Sequence, residues 1–231
     1  MHLVLLAAYL LGAASLADGQ AVSAGASSGL SSARKPKGSA ILDVECGYLW
    51  VENRRKVAFS VLLSSPEAKK LPVGDSMLFV IDDVLLQAAV VDGGVLGAPS
   101  ARGSDLLRAH LKWEAEFASK LHGWKSLSPS SDVIDMGIPG VTTLMWGYDA
   151  PTPFEIMGQK ITRMLYVDLA VDDVVFALAA PMRDGDDVPR VSRVIKKCLT
   201  TFTRSKRPID PVKVLSDAKK GLWRGCAGGN I

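Results

Sequence analysis

At 231 residues, 48% of them hydrophobic and 22% charged, the chain is long enough for one sizeable core and too apolar to be mainly disordered. The net charge of +3 is unevenly placed: residues 183–231 carry 12 Lys/Arg against 5 Asp/Glu, whereas residues 39–182 carry 12 against 18. A basic C-terminal region on an acidic body suits an anionic partner or surface, or simply a solvated helix face. The basic stretch lacks interleaved aromatics and any recognised binding motif, so no nucleic acid is expected.

The N-terminal segment MHLVLLAAYLLGAASLADGQA is apolar from Leu3 to Leu16. The triplets Ser15-Leu16-Ala17 and Gly19-Gln20-Ala21 have the small-x-small pattern that signal peptidase reads. The run is shorter than the roughly 20 residues of a membrane-spanning helix. Residues 1–17 (or to 21) therefore read as a signal peptide and the chain as exported, periplasmic or extracellular. Residues 18–38 are Ala/Ser/Gly-rich, end in a basic cluster, and read as a linker. The folded domain is expected over residues 39–207, with a short helix and a Gly-rich tail over 208–231. Cys46, Cys198 and Cys226 allow one disulfide among them and leave one thiol over. No CxxC or Cys/His ligand spacing occurs, so neither a metal nor a cofactor is expected.

Within the domain, ILDVECGYLWVE reads as one strand with Leu42, Val44, Cys46, Tyr48 and Trp50 on one face. KVAFSVLL follows with Val57, Phe59, Val61 and Leu63 on one face, and Asn53-Arg54-Arg55 suggests a hairpin connection. SMLFVI and DDVLLQAAVV read as further strands. Ser104 then looks like the N-cap of a long helix whose apolar stripe is Leu106, His110, Trp113, Phe117 and Leu121. His110 on that stripe reads as a core histidine, and His122 lies a third of a turn away around the helix, so the two make no ligand pair. Glu114 and Glu116 point to different sides, which argues against paired-carboxylate catalysis.

DVIDMG and VTTLMWGY are strand candidates split by Ile138-Pro139-Gly140. In TRMLYVDLAVDDVVFALAAP, a two-residue turn at Asp172-Asp173 sets Val171 opposite Val174, Leu169 opposite Phe176 and Val167 opposite Leu178. Met164, Tyr166 and Asp168 then share the other face with Ala177 and Ala179. In RDGDDVPR, Asp184-Gly185 makes a turn and Asp186 or Asp187 caps a helix that tolerates Pro189 in its first turn. Its stripe is Val188, Val191, Val194, Ile195, Cys198, Leu199 and Phe202. A calcium loop would need a distal Glu, and no Glu follows Asp187.

These elements make an α+β fold, a mainly antiparallel sheet with helices packed on it, in a single domain. From residue 104 onward the order is helix, two strands, tight hairpin and a helix ending CLTTFTRSKRP, and DVVFALAAP leads into that last helix. Over roughly residues 104–207 this order resembles the α/β/α sandwich of PsbP-type and DcrB-type proteins. The resemblance includes no catalytic motif and implies a non-enzymatic accessory or binding protein. It also brings in, by analogy of fold, chaperones and immunity proteins for secreted toxins.

No GxSxG, Walker loop, HExxH or dinucleotide fingerprint occurs, and no catalytic residue is assigned. Two surfaces are candidates for binding another protein. One is the loop MWGYDAPTPFE, with Trp146, Tyr148, Asp149 and Phe154. The other is the basic helix face with Arg193, Lys196 and Lys197. The expectation is an exported binding protein whose partner is most naturally another protein. The alternatives are a carrier with an apolar ligand between the first helix and the sheet, and a hydrolase using His110 and Asp168.

Overall fold

The computed structural model describes residues 38–219 apart from 55, 56, 66, 74 and 75. The expected signal segment and linker, up to residue 37, and the tail from residue 220, Cys226 included, lie outside the described residues. Two antiparallel sheets and three helices make up the described chain, so the α+β expectation is met. A separate four-stranded sheet is the feature the sequence reading did not contain.

That sheet starts with β1 (Gly38–Val44) and β2 (Gly47–Asn53). They form a tight hairpin rather than the single strand expected, with Glu45 and Cys46 at the turn. Gly47 explains the break: at φ +138° a Cβ there would lie 2.1 Å from the carbonyl oxygen of Leu63, so no other residue fits and the chain reverses. β3 (Ala58–Ser64) continues the meander, and β11 (Thr203–Ser205) returns from the far end of the chain to pair with it.

The seven-stranded sheet has the order β4-β5-β6-β10-β9-β8-β7. A first meander comprises β4 (Lys69–Val73), β5 (Ser76–Ile81) and β6 (Val84–Asp92). The chain then crosses one face of the sheet as α1 (Gly103–His122) to reach the far edge. It walks back through β7 (Ser130–Ile134), β8 (Thr142–Ile156), β9 (Gln159–Val171) and β10 (Val174–Arg183), which closes against β6. The β9–β10 hairpin has the expected register, with Val171 paired to Val174, Leu169 to Phe176 and Val167 to Leu178. From β10 the chain crosses the opposite face as α2 (Val188–Leu199) and, after β11, ends in α3 (Pro211–Lys219).

The large apolar face of β9–β10 packs with Trp50, Phe59, Val61 and Leu63 of the four-stranded sheet and with Val191, Ile195 and Leu199 of α2 in the main core. The other face of β8–β10 lies under α1. Leu49, Val51 and Leu62 on the outside of the small sheet meet Ile209 and Val214 beside α3. Glu52, fully buried, accepts from Ser39, Trp50 and Arg54, and Arg54 reaches Asp92 at 2.9 Å, which ties the two sheets together at one corner.

Both expected helix caps change in detail. The residue before α1 is Arg102, so Ser104 sits inside the first turn, and no side chain caps that end. Asp187 does occupy the N-cap position of α2, yet its carboxylate makes no capping bond. Asp186 instead accepts the Arg183 N–H at 2.7 Å and fixes the turn made by Asp184 and Gly185. The last helix is capped as its sequence suggests, with Asp210 accepting the Val212 N–H at 2.9 Å.

β8 and β9 approach closely at Gly147, where an added Cβ would lie 2.6 Å from the carbonyl oxygen of Met164. Gly147→Ala is therefore expected to push β8 off β9 and cost about 1–3 kcal/mol, as overpacking does. Urea unfolding of the variant checks this, and an unchanged midpoint would show that the strands tolerate the side chain.

Candidate functional site

The polar groups of this protein concentrate where α1 lies on the sheet. Strand alternation sends Met164, Tyr166, Asp168 and Ala170 of β9 to that face, together with Leu144, Trp146 and Tyr148 of β8. Opposite them β10 offers Val175, paired with Ala170, and the small residues Ala177, paired with Asp168, and Ala179, paired with Tyr166. These small residues leave room for large side chains beneath the helix. Tyr166 and Trp146 are direct cross-strand partners, and their rings stack at 4.0 Å and 6°.

α1 presents Leu107, His110, Glu114 and Ala118 to this floor. Leu106 and His110 of the expected stripe are buried as expected, but farther along the stripe is rotated: Trp113 and Phe117 are half-buried on the flank, stacked on each other at 5.5 Å, and Leu121 is exposed. The rotation has a polar cause. His110 Nδ1 lies 2.7 Å from Asp168 Oδ2, and Trp146 Nε1 donates to the same oxygen at 2.7 Å. One turn along the helix, Glu114 accepts from the Tyr166 hydroxyl at 3.0 Å. Asp168 Oδ1 has no hydrogen-bond partner among the described residues.

Charge in this cluster is set by burial and by the partners. Burial alone would lower the His110 pKa, but the adjacent Asp168 charge and its hydrogen bond outweigh it, with help from Glu114, and hold the imidazole above its usual value. Burial pushes the Glu114 carboxyl up. The Tyr148 and Tyr166 phenols are likewise raised by burial, so both stay neutral. The cluster thus sets the His110–Asp168 pair next to a carboxyl that burial inclines toward its protonated form, an arrangement that a dry interior tolerates.

Chemically, a His–Asp pair needs a nucleophile or a substrate proton within reach. His110 makes its hydrogen bond to Asp168 and meets Trp113 and Trp146 edges and faces, with no Ser, Thr or Cys among its described partners. At 2% exposure it has little access to solvent. The two residues named for a hydrolase are brought together, buried beneath α1. The space beside them, lined by Glu114, His122, Tyr148, Phe154 and Tyr166, amounts to about 10 Å³, too little for the apolar ligand of a carrier.

The aromatic loop is not a loop. β8 runs on through Pro151 and Pro153 to Ile156, with a register shift against β9 between Asp149 and Phe154. Trp146 and Tyr148 are therefore inward strand residues at 1% and 6% exposure and offer no surface to a partner. Phe154 is half-buried against His122, with ring centroids at 4.5 Å. Asp149 is exposed and paired to Arg163 at 2.5 Å.

A second region lies at the start of α2. A cavity of about 350 Å³ opens between β4–β6, the β8–β9 turn and α2, with Leu71, Val84 and Leu85 below and Arg183, Asp186 and Arg190 around it. Met157, at φ +53° in the β8–β9 turn and half exposed, overhangs it. Arg190 donates to the Asp82 carbonyl at 2.8 Å and Lys197 binds the Asp82 carboxylate at 2.9 Å, so the β5–β6 turn is strapped to α2. Lys197 thus has a role within the fold. Arg193 is exposed at 4.0 Å from Asp187, and Lys196 is half-buried. Arg190 belongs to the basic helix face read from the sequence, whereas Arg183, the last residue of β10, was not singled out there.

Of the three cysteines, Cys46 is disulfide-bonded and Cys198 is a free, buried thiol pushed up to about 12 by burial. This removes Cys198 from the candidates for the bridge. No described helix is long and apolar enough to cross a membrane. Comparison with protein-family models, with curated proteins and with solved structures returns no match. The likeness to PsbP-type chains rests on element order alone.

His110 and Glu114 both hold a proton more tightly in the folded chain than in the unfolded one. The stability they contribute is complete below their ordinary values, about 6.5 and 4.3, and is lost as pH rises through the raised folded values. The unfolding free energy is expected to fall as pH rises above these ordinary values, by up to roughly 1.4 kcal/mol per pH unit for each proton released. In His110→Gln the fall should flatten. Equal slopes in the two proteins would mean that His110 is not a protonated partner of Asp168.

Proposed function

We propose that the chain is an exported, non-enzymatic binding protein that engages another protein in the cell envelope or outside the cell. The observation that carries this reading is the contrast between its two polar regions. The His110–Asp168 cluster is sealed under α1, whereas the cavity at the start of α2 is open and continuous with an exposed basic helix face. Apolar floor, charged rim and adjacent basic residues are the components of a protein contact with a buried centre and a polar edge. Export is supported by the leader pattern of residues 1–17 and by a disulfide at Cys46, since such bonds persist in oxidising compartments.

The carrier and hydrolase readings receive less support, because the space under α1 is small and the His–Asp pair lacks a neighbouring nucleophile. The partner favoured by Arg190, Arg193 and Lys196 is one that brings acidic groups. Affinity capture with the tagged mature chain from an envelope extract tests the reading. A stoichiometric protein is expected with the native sequence and is expected to be lost with Arg190→Glu/Arg193→Glu, whose circular dichroism should match the parent. Capture of the same protein by the charge-reversed variant would move the contact elsewhere on the molecule.

A further inference from the structure

The crevice between the last turns of α1 and strands β8 and β9 combines aromatic faces with one carboxyl group. His122, Tyr148, Phe154 and Tyr166 line it, with Glu114 among them. The rings lean on each other, His122 and Phe154 at 4.5 Å between centroids and Tyr148 and Tyr166 at 6.1 Å. Gly123, at φ +67°, ends α1 and turns Trp124 back onto His122 at 4.4 Å, which fixes the mouth of the crevice. Glu114 spends one oxygen on the Tyr166 hydroxyl. No lysine or arginine lines the crevice among the described residues.

The face of an aromatic ring attracts a cation through its quadrupole, and the attraction grows as water is excluded. A buried carboxylate needs an opposite charge or a proton. We propose that this crevice is a binding site for a small primary ammonium group, seated against the Tyr148, Tyr166 and Phe154 rings with its charge on Glu114. Three N–H donors suit the carboxylate and the two phenol oxygens better than the methyl groups of a quaternary ammonium would. A volume of about 10 Å³ is room for roughly one water-sized group. The site is therefore sized for the ammonium head alone, and a longer chain would leave past Leu121, which is 37% exposed at the mouth.

Glu114 is faced by His110 on its own helix, by Tyr166 and Asp168 on β9, by Tyr148 on β8 and by His122 at the mouth. His122 has its pKa lowered by burial, so it does not compete as a cation. Where Glu114 holds its proton, an entering ammonium ion takes that proton's place, the proton leaves to solvent, and the net charge inside is unchanged. Binding should therefore tighten as pH rises toward the raised Glu114 value.

The test is calorimetric titration of the full chain with methylammonium chloride at constant ionic strength, in two buffers of different ionisation enthalpy. Tetramethylammonium and sodium chloride serve as comparisons. Expected are saturable one-to-one binding of methylammonium with release of up to one proton, silence with the other two salts, and an affinity at least about tenfold weaker in Glu114→Gln. Phe154→Leu, at the half-buried rim, should weaken binding even if Glu114→Gln fails to fold. A free amine and the lysine side chain of a partner carry the same group, and whichever of methylammonium and Nα-acetyl-lysine methylamide binds more tightly identifies the source. No saturable binding of either probe to the folded protein, equal affinity in both variants, or an equal response to sodium would overturn the proposal.

Discussion

Asp168 places a fully buried carboxylate in the middle of a seven-stranded sheet, and the elements around it are arranged so that this is tolerable. Trp146 from the neighbouring strand and His110 from the crossing helix both address one of its oxygens at 2.7 Å. Ala177 and Ala179 on the next strand make the room. Removing one member of a buried pair typically costs about 3–5 kcal/mol, because the survivor is left charged and dry. This contact fixes the rotation of α1 about its own axis, and with it which helix residues face the sheet. Glu114 follows one turn later, and the aromatic crevice is what remains between that face and β8.

The division of labour between the two faces of the sheet follows from the same constraint. On one face the β9–β10 hairpin offers Val, Leu and Phe to the second sheet and α2, and packing there is mainly apolar, with Glu52 held by Ser39, Trp50 and Arg54 at one corner. On the other face it offers Tyr, Asp and Ala, and the covering helix must answer with polar side chains. A sealed polar interior and an open, charged rim at the start of α2 are consequences of one strand pattern. In the proposed reading, the partner contact lies outward, at the α2 end of the molecule.

Much of this was readable before the fold was known. Alternation in Leu169, Val167, Phe176 and Leu178 set the hairpin register, because a slip of one residue would send every large side chain to the wrong face. The same alternation put Tyr166 and Asp168 together on the opposite side. The partner of that side was not readable. Apolar periodicity counts Trp113 and Phe117 as inward and leaves Glu114 off the stripe, and only the tertiary contact to Tyr166 shows Glu114 facing the sheet. The β1–β2 hairpin was hidden for a different reason. Its alternation continues through Glu45 and Cys46 as if unbroken, and the close approach of Gly47 to the Leu63 carbonyl is visible only in three dimensions. β8 likewise continues past two prolines because a register shift absorbs them.

The central claim is that His110 and Asp168 act as one charged unit that orients α1. A double-mutant cycle with His110→Leu and Asp168→Leu, read by urea unfolding, addresses it most directly. Each single replacement should cost about 3–5 kcal/mol, while the double replacement should cost clearly less than their sum, since no buried charge is then left alone. Strictly additive losses would contradict the account and would make His110 and Asp168 two independent core residues that happen to touch.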